Sequence, residues 1–332
     1  MYNNVELTKA IKFSISSGFI FLAVMFLAES SAAEKYPSKP VKIVVGFAAA
    51  GPVDNLSRII ARRLSERLGQ QFIIDNRPGA SSMIGAQFVA NSEPDGYTLL
   101  MVASTHAINP SLYNKIAFNT EKDFMPISLV AENPFVLVVP QKLKINSLAQ
   151  LISVAKNESK PINYASAGIG GLPHLAAELF KLESGIDANH IPYKGAAPAS
   201  TDLLAGHVSF MINNMQSALP YVKDGRLRAL AVTSPERLSV LPNVPTFKEL
   251  GFKGLQISGW YGLLAPAGVP VEIVQILNSQ IAQILKDKDV VAEIRADGAE
   301  VKGSSSKEFS DRIHDEIIKW SKIVKLSGAS AQ

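Results

Sequence analysis

The sequence predicts an α/β protein of two lobes, each a mostly parallel sheet flanked by helices. Three observations carry this expectation. Short, continuously apolar segments alternate with amphipathic helical ones, the pattern of strands covered on both faces. A β-α-β-α-β order runs once near the N-terminus, and a second unit of the same style begins after the extended segment Phe135 to Val139. The chain, at 332 residues, also exceeds the usual size of one domain.

The N-terminus reads as an address. Lys9 and Lys12 precede an apolar run from Phe13 to Ala28, and Ser31-Ala32-Ala33 stands before Glu34, the order of a secretory leader cut after Ala33. Residues 1–33 are therefore expected to be a signal peptide, and the mature protein to work outside the cytoplasm. The apolar run contains Ser14, Ser16, Ser17 and Gly18 and falls short of the ~20 apolar residues of a membrane span. Removing 33 of the 332 residues leaves 299, enough for two cores. Within the leader Lys9 and Lys12 cancel Glu6 and Glu29, so the mature part keeps the net charge of +4. This mild excess, with no basic run interleaved with aromatics, argues against nucleic acid and suits a small anion. With no cysteine there is no disulfide, no thiol chemistry and no lipidated leader.

Each element follows from the local pattern. Val41 to Phe47 is a strand, Ala48 to Val53 a loop of small residues, and Leu56, Ile59, Ile60, Leu64 and Leu68 form one stripe of a helix. Asp54 suits its N-cap and Gly69 its end. Gln71 to Asn76 is a second strand, Met83 to Ala90 a short helix, and Tyr97 to Ala103 a third strand after the turn Pro94-Asp95-Gly96. After an extended Phe135 to Val139 come helix Leu148 to Asn157, strand Ile162 to Ala167, helix Leu172 to Leu182 and strand Asn189 to Pro192. Ala199 to Leu204 and Ala218 to Lys223 read as helices, and Val208 to Asn213 and Leu227 to Thr233 as strands. Leu255 to Ala265 is extended. Beyond Pro270 the chain is helical to Leu285 and, after a short strand at Ala299 to Lys302, helical again from Lys307 to Leu326.

The chemistry of such a fold belongs to the carboxyl ends of its strands, where helix N-termini offer free N–H groups to an anion. Three loops fit: Ala48 to Asp54, Ser166 to Leu172 and Lys194 to Ser200. All are built from Gly, Ala, Ser and Pro, so the backbone can approach a ligand closely. Charge-assisted hydrogen bonds from backbone N–H groups hold a carboxylate without a salt bridge.

Several segments are specific enough to resemble a known family. Phe47-Ala48-Ala49-Ala50-Gly51-Pro52-Val53-Asp54 with Arg58, Asp75-Asn76-Arg77-Pro78-Gly79-Ala80, and Pro94-Asp95-Gly96-Tyr97-Thr98-Leu99-Leu100 are three of them. Tyr164-Ala165-Ser166-Ala167-Gly168, Pro192-Tyr193-Lys194-Gly195 and Ser258-Gly259-Trp260-Tyr261-Gly262 complete the set. In this order they resemble the Bug family, the extracytoplasmic solute-binding receptors of tripartite tricarboxylate transporters. The resemblance implies a periplasmic binding protein of the Venus-flytrap kind, with residues 36–135 plus 262–332 as one lobe, 136–261 as the other, and two crossovers as a hinge. It implies a small organic carboxylate as ligand (a di- or tricarboxylate or an aromatic acid), delivery to two membrane subunits, and no cofactor. Carried onto this chain, the first-lobe contacts are Phe47, Ala50, Gly51, Val53 and Asp54, with Ser104 and Thr105 at the next strand end. The second lobe supplies Ser166, Ala167, Gly168, Lys194, Gly195, Ala196, Ala197 and Asn213. Ala50, Val53 and Asn213 depart from the usual Gly, small residue or Thr, and Asp. The loss of charge at Asn213 and the added apolar surface at Val53 favour a plain or aromatic dicarboxylate over an acidic amino acid, which stays as an alternative. Signalling to a membrane sensor is a second alternative, and a monomer is expected because closure and docking need free surface.

Each candidate has a plainer role. Asp54 caps a helix; Ser166 bonds its own loop; Trp260, which with Phe47 could wall the cleft, packs in a core; Lys194 is solvated. His106, His174, His190, His207 and His314 lack the spacing of a metal site, and His174 reads as structural just inside its helix. No Gly-x-Ser-x-Gly elbow occurs, and Gly168-Ile169-Gly170-Gly171 is neither a Walker A loop nor a dinucleotide fingerprint, so catalysis is not expected.

Overall fold

The computed structural model describes residues 36–296 and 298–327, and the leader lies outside them. Val41–Val45 (β1), Pro52–Leu68 (α1), Phe72–Asn76 (β2), Met83–Ala90 (α2) and Thr98–Ala103 (β3) build the first parallel unit. β1 pairs in parallel with both β2 and β3, and Val41, Ile43, Val44 and Val45 are fully buried, which is why the strand is apolar on both faces. One expectation is corrected here. The N-cap of α1 is Gly51, not Asp54; Pro52 follows at the start, where its missing N–H costs nothing, and Asp54 sits in the first turn. Gly69 ends the helix at φ 72°, its N–H bonded to Ser65 O at 3.0 Å.

Thr105–Leu112 (α3) follows β3 and leads to a 17-residue strand, Phe124–Pro140 (β4). The second unit comprises Leu148–Asn157 (α4), Ile162–Ser166 (β5), Leu172–Ser184 (α5), Ala188–Pro192 (β6), Ala196–Ala205 (α6), Phe210–Asn214 (β7), Met215–Lys223 (α7) and Leu227–Val232 (β8). Ser258–Pro266 (β9) returns the chain to the first unit, which ends with Val271–Ile284 (α8), Lys288–Ala296 (α9), Glu300–Val301 (β10) and Ser306–Ser327 (α10).

The strand order is β2-β1-β3-β9-β4-β7-β5-β6, with β8 and β10 also paired to β4. The outer strands of each half are parallel, whereas β9 and β4, at the centre of the strand order, pair antiparallel with their neighbours. β4 belongs to both halves: Phe124 to Pro134 faces β9, and Phe135 onward faces β7 and β8. β9 lies wholly in the first half, so the return crossing falls just before Ser258.

Each half has its own core. Val44, Leu100, Val102, Trp260 and Leu264 pack in the first; Tyr164, Phe180, Phe210 and Ile212 pack on one face of the second, and Ala165, Leu203, Met211 and Met215 on the other. Two helices contribute to both. α3 places Ala107 in the first core and Ile108 and Leu112 in the second; α10 places Phe309 and Ile313 in the first and Trp320, Ile323 and Val324 in the second. Burying each large apolar side chain stabilises by about 2 kcal/mol, so these helices tie the halves together.

Candidate functional site

The loops singled out from sequence all stand at strand ends. In the first, Ala50 adopts φ 63° and donates its N–H to Asp54 Oδ2 at 2.9 Å. Asp54, 1% exposed, also accepts from Arg58 Nε at 2.8 Å and from Asn76 Nδ2 at 2.9 Å. Burial pushes this carboxyl up, but the bonds from Arg58, Asn76 and the Ala50 N–H outweigh it and hold it below the usual carboxylate range. Asn76 Nδ2 is also 3.2 Å from Phe47 O, so the same amide braces the half-buried Phe47. Gly51 caps α1, and Val53 is buried in its first turn.

In the second half, Gly195 (φ 114°) caps α6 and donates its N–H to Ala167 O at 3.1 Å, while Tyr193 N–H donates to Ser166 O at 3.0 Å. The Lys194–Ala197 loop therefore lies against the Ser166–Leu172 loop. Lys194 and Ala197 are exposed and Ala196 is half-buried. Asn213 is buried, its Oδ1 accepting the Asn214 N–H at 2.9 Å and its Nδ2 donating to Ser200 Oγ at 3.3 Å.

The two halves meet around a cavity of about 200 Å³. Thr105, Asn109, Leu112 and Tyr113 line it from α3 and the residue after it, Ser81 from the turn before α2, and residues 167–171 with Pro173 and His174 from the loop and first turn of α5. Of the expected contacts, Thr105, Ala167 and Gly168 line it; Phe47, Ala50, Gly51, Val53, Asp54, Ser104, Ser166, Lys194, Gly195, Ala196, Ala197 and Asn213 do not. Ser104 caps α3 one residue behind Thr105, and Ser166 Oγ donates to Gly168 O at 3.0 Å within the loop.

The arrangement suits an anion. The first turns of two helices, α3 from one half and α5 from the other, lie at one cavity, and orphan N–H groups with the positive end of the helix dipole favour negative charge there. No charged side chain lines it. Gly170 (φ 76°) permits the close approach: a Cβ there would come within 2.9 Å of Leu112 Cδ1. Thr105 Oγ1 and Asn109 Oδ1 are buried without a hydrogen-bond partner.

Ser81, Asn109, Leu112, Tyr113 and Pro173 are lining residues that sequence reasoning missed; Ile169, Gly170 and Gly171 belong to the loop it singled out but are not among its named contacts, and His174 reads there as structural. A signal for Ser81 lies in the backbone, since Ala80, Ser81 and Ser82 all have positive φ, a cost that non-glycine residues carry only where their surroundings impose it. Trp260 packs against Phe309 in the first core, fully buried. Two larger depressions, of about 350 and 390 Å³, open between the 234–240 segment and α7 on one side and α9 and β10 on the other. Several of their charges are already paired: Arg295 with Glu300 at 3.1 Å, Lys302 with Glu132 at 3.6 Å and Arg237 with Glu249 at 3.0 Å. Among the described residues no group of His, Asp and Glu is assembled for a metal ion.

Known proteins share this architecture. A protein of R. palustris solved with adipate is 37% identical, with TM-score 0.76, over 89% of this chain and 99% of that one. MatC of Rhodopseudomonas palustris, solved with bound malate, is 31% identical, with TM-score 0.72, over 87% and 100%. BugT of Bordetella pertussis is 38% identical over 312 residues, 93% of this chain and 96% of its own length. Fold and family are thus those of solute-binding proteins of the periplasmic binding class, not of enzymes. More narrowly, the model of the tripartite tricarboxylate transporter family receptors matches residues 56–329, and the chain belongs to that family.

Proposed function

We propose that the protein is an exported periplasmic receptor that captures a small organic carboxylate between its halves and delivers it to the membrane subunits of a tripartite tricarboxylate transporter. The observation that carries this reading is the cavity lined by the first turns of α3 and α5, free of charged side chains and below the ~300 Å³ at which drug-sized pockets begin. The adipate and malate held by its relatives support the ligand class. The halves act as lobes, near the expected division of 36–135 with 262–332 and 136–261 but with Ser258 to Tyr261 of β9 on the first, joined through β4 and the segment just before β9. On closure the loops at Phe47 to Asp54 and Lys194 to Ala197, with Ser104, Ser166 and Asn213, complete the contacts around the ligand. Closure excludes water, so the carboxylate's hydrogen bonds strengthen and the closed form is selected by the ligand.

A thermal-shift series over adipate, malate, tricarboxylates, aromatic acids and acidic amino acids tests this. A true ligand at a hundred times its Kd stabilises by ~2.7 kcal/mol and raises the melting temperature accordingly. Flat melting temperatures with every carboxylate would refute the reading, and a shift by glutamate larger than by any amine-free diacid would change the ligand class.

A further inference from the structure

Beneath the Gly-rich loop, two histidines from different elements stack. His174, in the first turn of α5, and His190, in β6, have ring centroids 3.9 Å apart and planes inclined by 15°. On its other side His190 stacks on Tyr164 of β5 at 4.9 Å. Each ring holds one part of the loop. His190 Nε2 lies 2.6 Å from Ser166 Oγ; because that hydroxyl gives its one proton to Gly168 O at 3.0 Å and accepts the Gly168 N–H at 3.2 Å, His190 Nε2 is the donor, and this bond survives protonation of the ring. His174 Nδ1 accepts the Gly170 N–H at 3.1 Å. Gly168 and Gly170 have φ of 147° and 76°, so the loop has little conformational preference of its own and these bonds select its path.

The Gly170 bond also fixes a charge state. An imidazole nitrogen accepts only when it carries no proton, so His174 is neutral with its proton on Nε2. Protonation would set one N–H against another and place a cation on the stacked neighbour. The ionisable groups around the pair are Glu178 and Lys181 of α5, Tyr164 of β5, and Tyr113 across the cavity. Glu178 is committed elsewhere, accepting from the Tyr164 hydroxyl and from Lys181 Nζ at 3.0 Å. Burial is the main cause that lowers both histidines, His190 to about 4; Lys181 reinforces it and Glu178 opposes it.

We propose that the His174–His190 pair is the positioning element of the ligand loop: uncharged, it holds residues 166–171 in the shape that receives the carboxylate, and protonation of His174 releases loop and ligand together. This rests on the cavity being the ligand site. His174 and His190 act through the loop backbone and Ser166.

The test uses the full chain, adipate as probe, and calorimetric titrations between about pH 7 and about pH 4. In His174→Asn, Oδ1 stands near the place of Nδ1 and accepts the same N–H without titrating. Adipate's own protonation is common to both proteins, so the ratio of their affinities is read. The ratio of the variant's affinity to that of the unaltered protein is expected to rise about tenfold from neutral pH to the acid end, whatever its value at neutrality. His174→Leu, with no acceptor, is expected to bind about tenfold more weakly at neutral pH. A ligand-free arm follows the Gly170 amide by NMR: it should move with the titration of the His174 ring in the unaltered protein and stay still in His174→Asn. A Gly170 amide that ignores the His174 titration overturns the proposal, as does an affinity ratio constant across pH. Failure of the unaltered protein to bind any carboxylate would instead refute the proposed function, and the Gly170 amide would still decide this inference.

Discussion

Thr105 shows at the scale of one residue how the cavity differs from the core around it. Its Oγ1 is buried and has no hydrogen-bond partner, a state that costs about 1–3 kcal/mol where it occurs. Thr105→Val removes the hydroxyl while keeping the shape and is expected to stabilise the ligand-free protein by about 1 kcal/mol, seen as a higher urea midpoint at unchanged slope. Comparable destabilisation would show that the hydroxyl has a partner in solution. Asp54 is the opposite case. Its two oxygens accept from Ala50, Arg58 and Asn76, so its chemistry is spent on shaping the loop after β1. Residue type alone could not separate these roles: Asp54 is carried into the site, Asn109 draws no reading, and His174 reads as structural.

Among the elements, those whose cause is local were legible: β1 to β3 from continuous apolar runs, and α1 from its stripe and from Gly69. Three elements were missed for tertiary reasons. α3 contains Thr105, Ile108 and an internal Pro110, poor helix formers, and forms because Ala107, Ile108 and Leu112 are buried. The first part of β4 is interrupted by Pro126 and Pro134 and reads as broken; its register slips between Pro126 and Ser128 and between Leu129 and Ala131, the bulges that admit such residues to a strand. α9 is short, and only Val290 and Ile294 mark its buried side. The cavity was half legible: strand-end loops were recognisable, but the lining by α3 depended on a helix invisible to periodicity. The sharing of α3 and α10 between cores makes a further prediction. The two tryptophans report one core each, Trp260 the first and Trp320 the second. In Trp260→Phe and Trp320→Phe, fluorescence and far-ultraviolet circular dichroism should give coincident urea transitions within each variant. Separated transitions would mean that the halves unfold independently.

Over the whole molecule, acid sensitivity is set by buried histidines before carboxylates enter. Burial lowers His106 and His190 to about 4, and lowers His174 below its ordinary 6.5 as well. The unfolded chain therefore takes up protons before the folded one does, and stability present above pH 6.5 is lost as the pH falls towards about 4. For fully buried His106 alone this amounts to roughly 3 kcal/mol. Asp54, whose pKa is lowered, adds a loss that begins only below its ordinary 3.8. Denaturation midpoints measured across this range should fall steeply between neutrality and about pH 4, and His106→Phe should flatten that fall; an unchanged slope would exclude His106 as a source.

The sharing of β4 has a mechanical meaning. Two bodies joined by a flexible loop turn as on a pin, freely and through wide angles. Here the connection is a hydrogen-bonded ladder: β4 runs unbroken from the pairings with β9 into those with β7 and β8, slipping register again between Leu137 and Val138. Any change of angle must be absorbed as distributed bending of this ladder, concentrated where the slips thin its bonding. A joint so built would flex as a leaf spring does, by bending along its length and not by turning at one point.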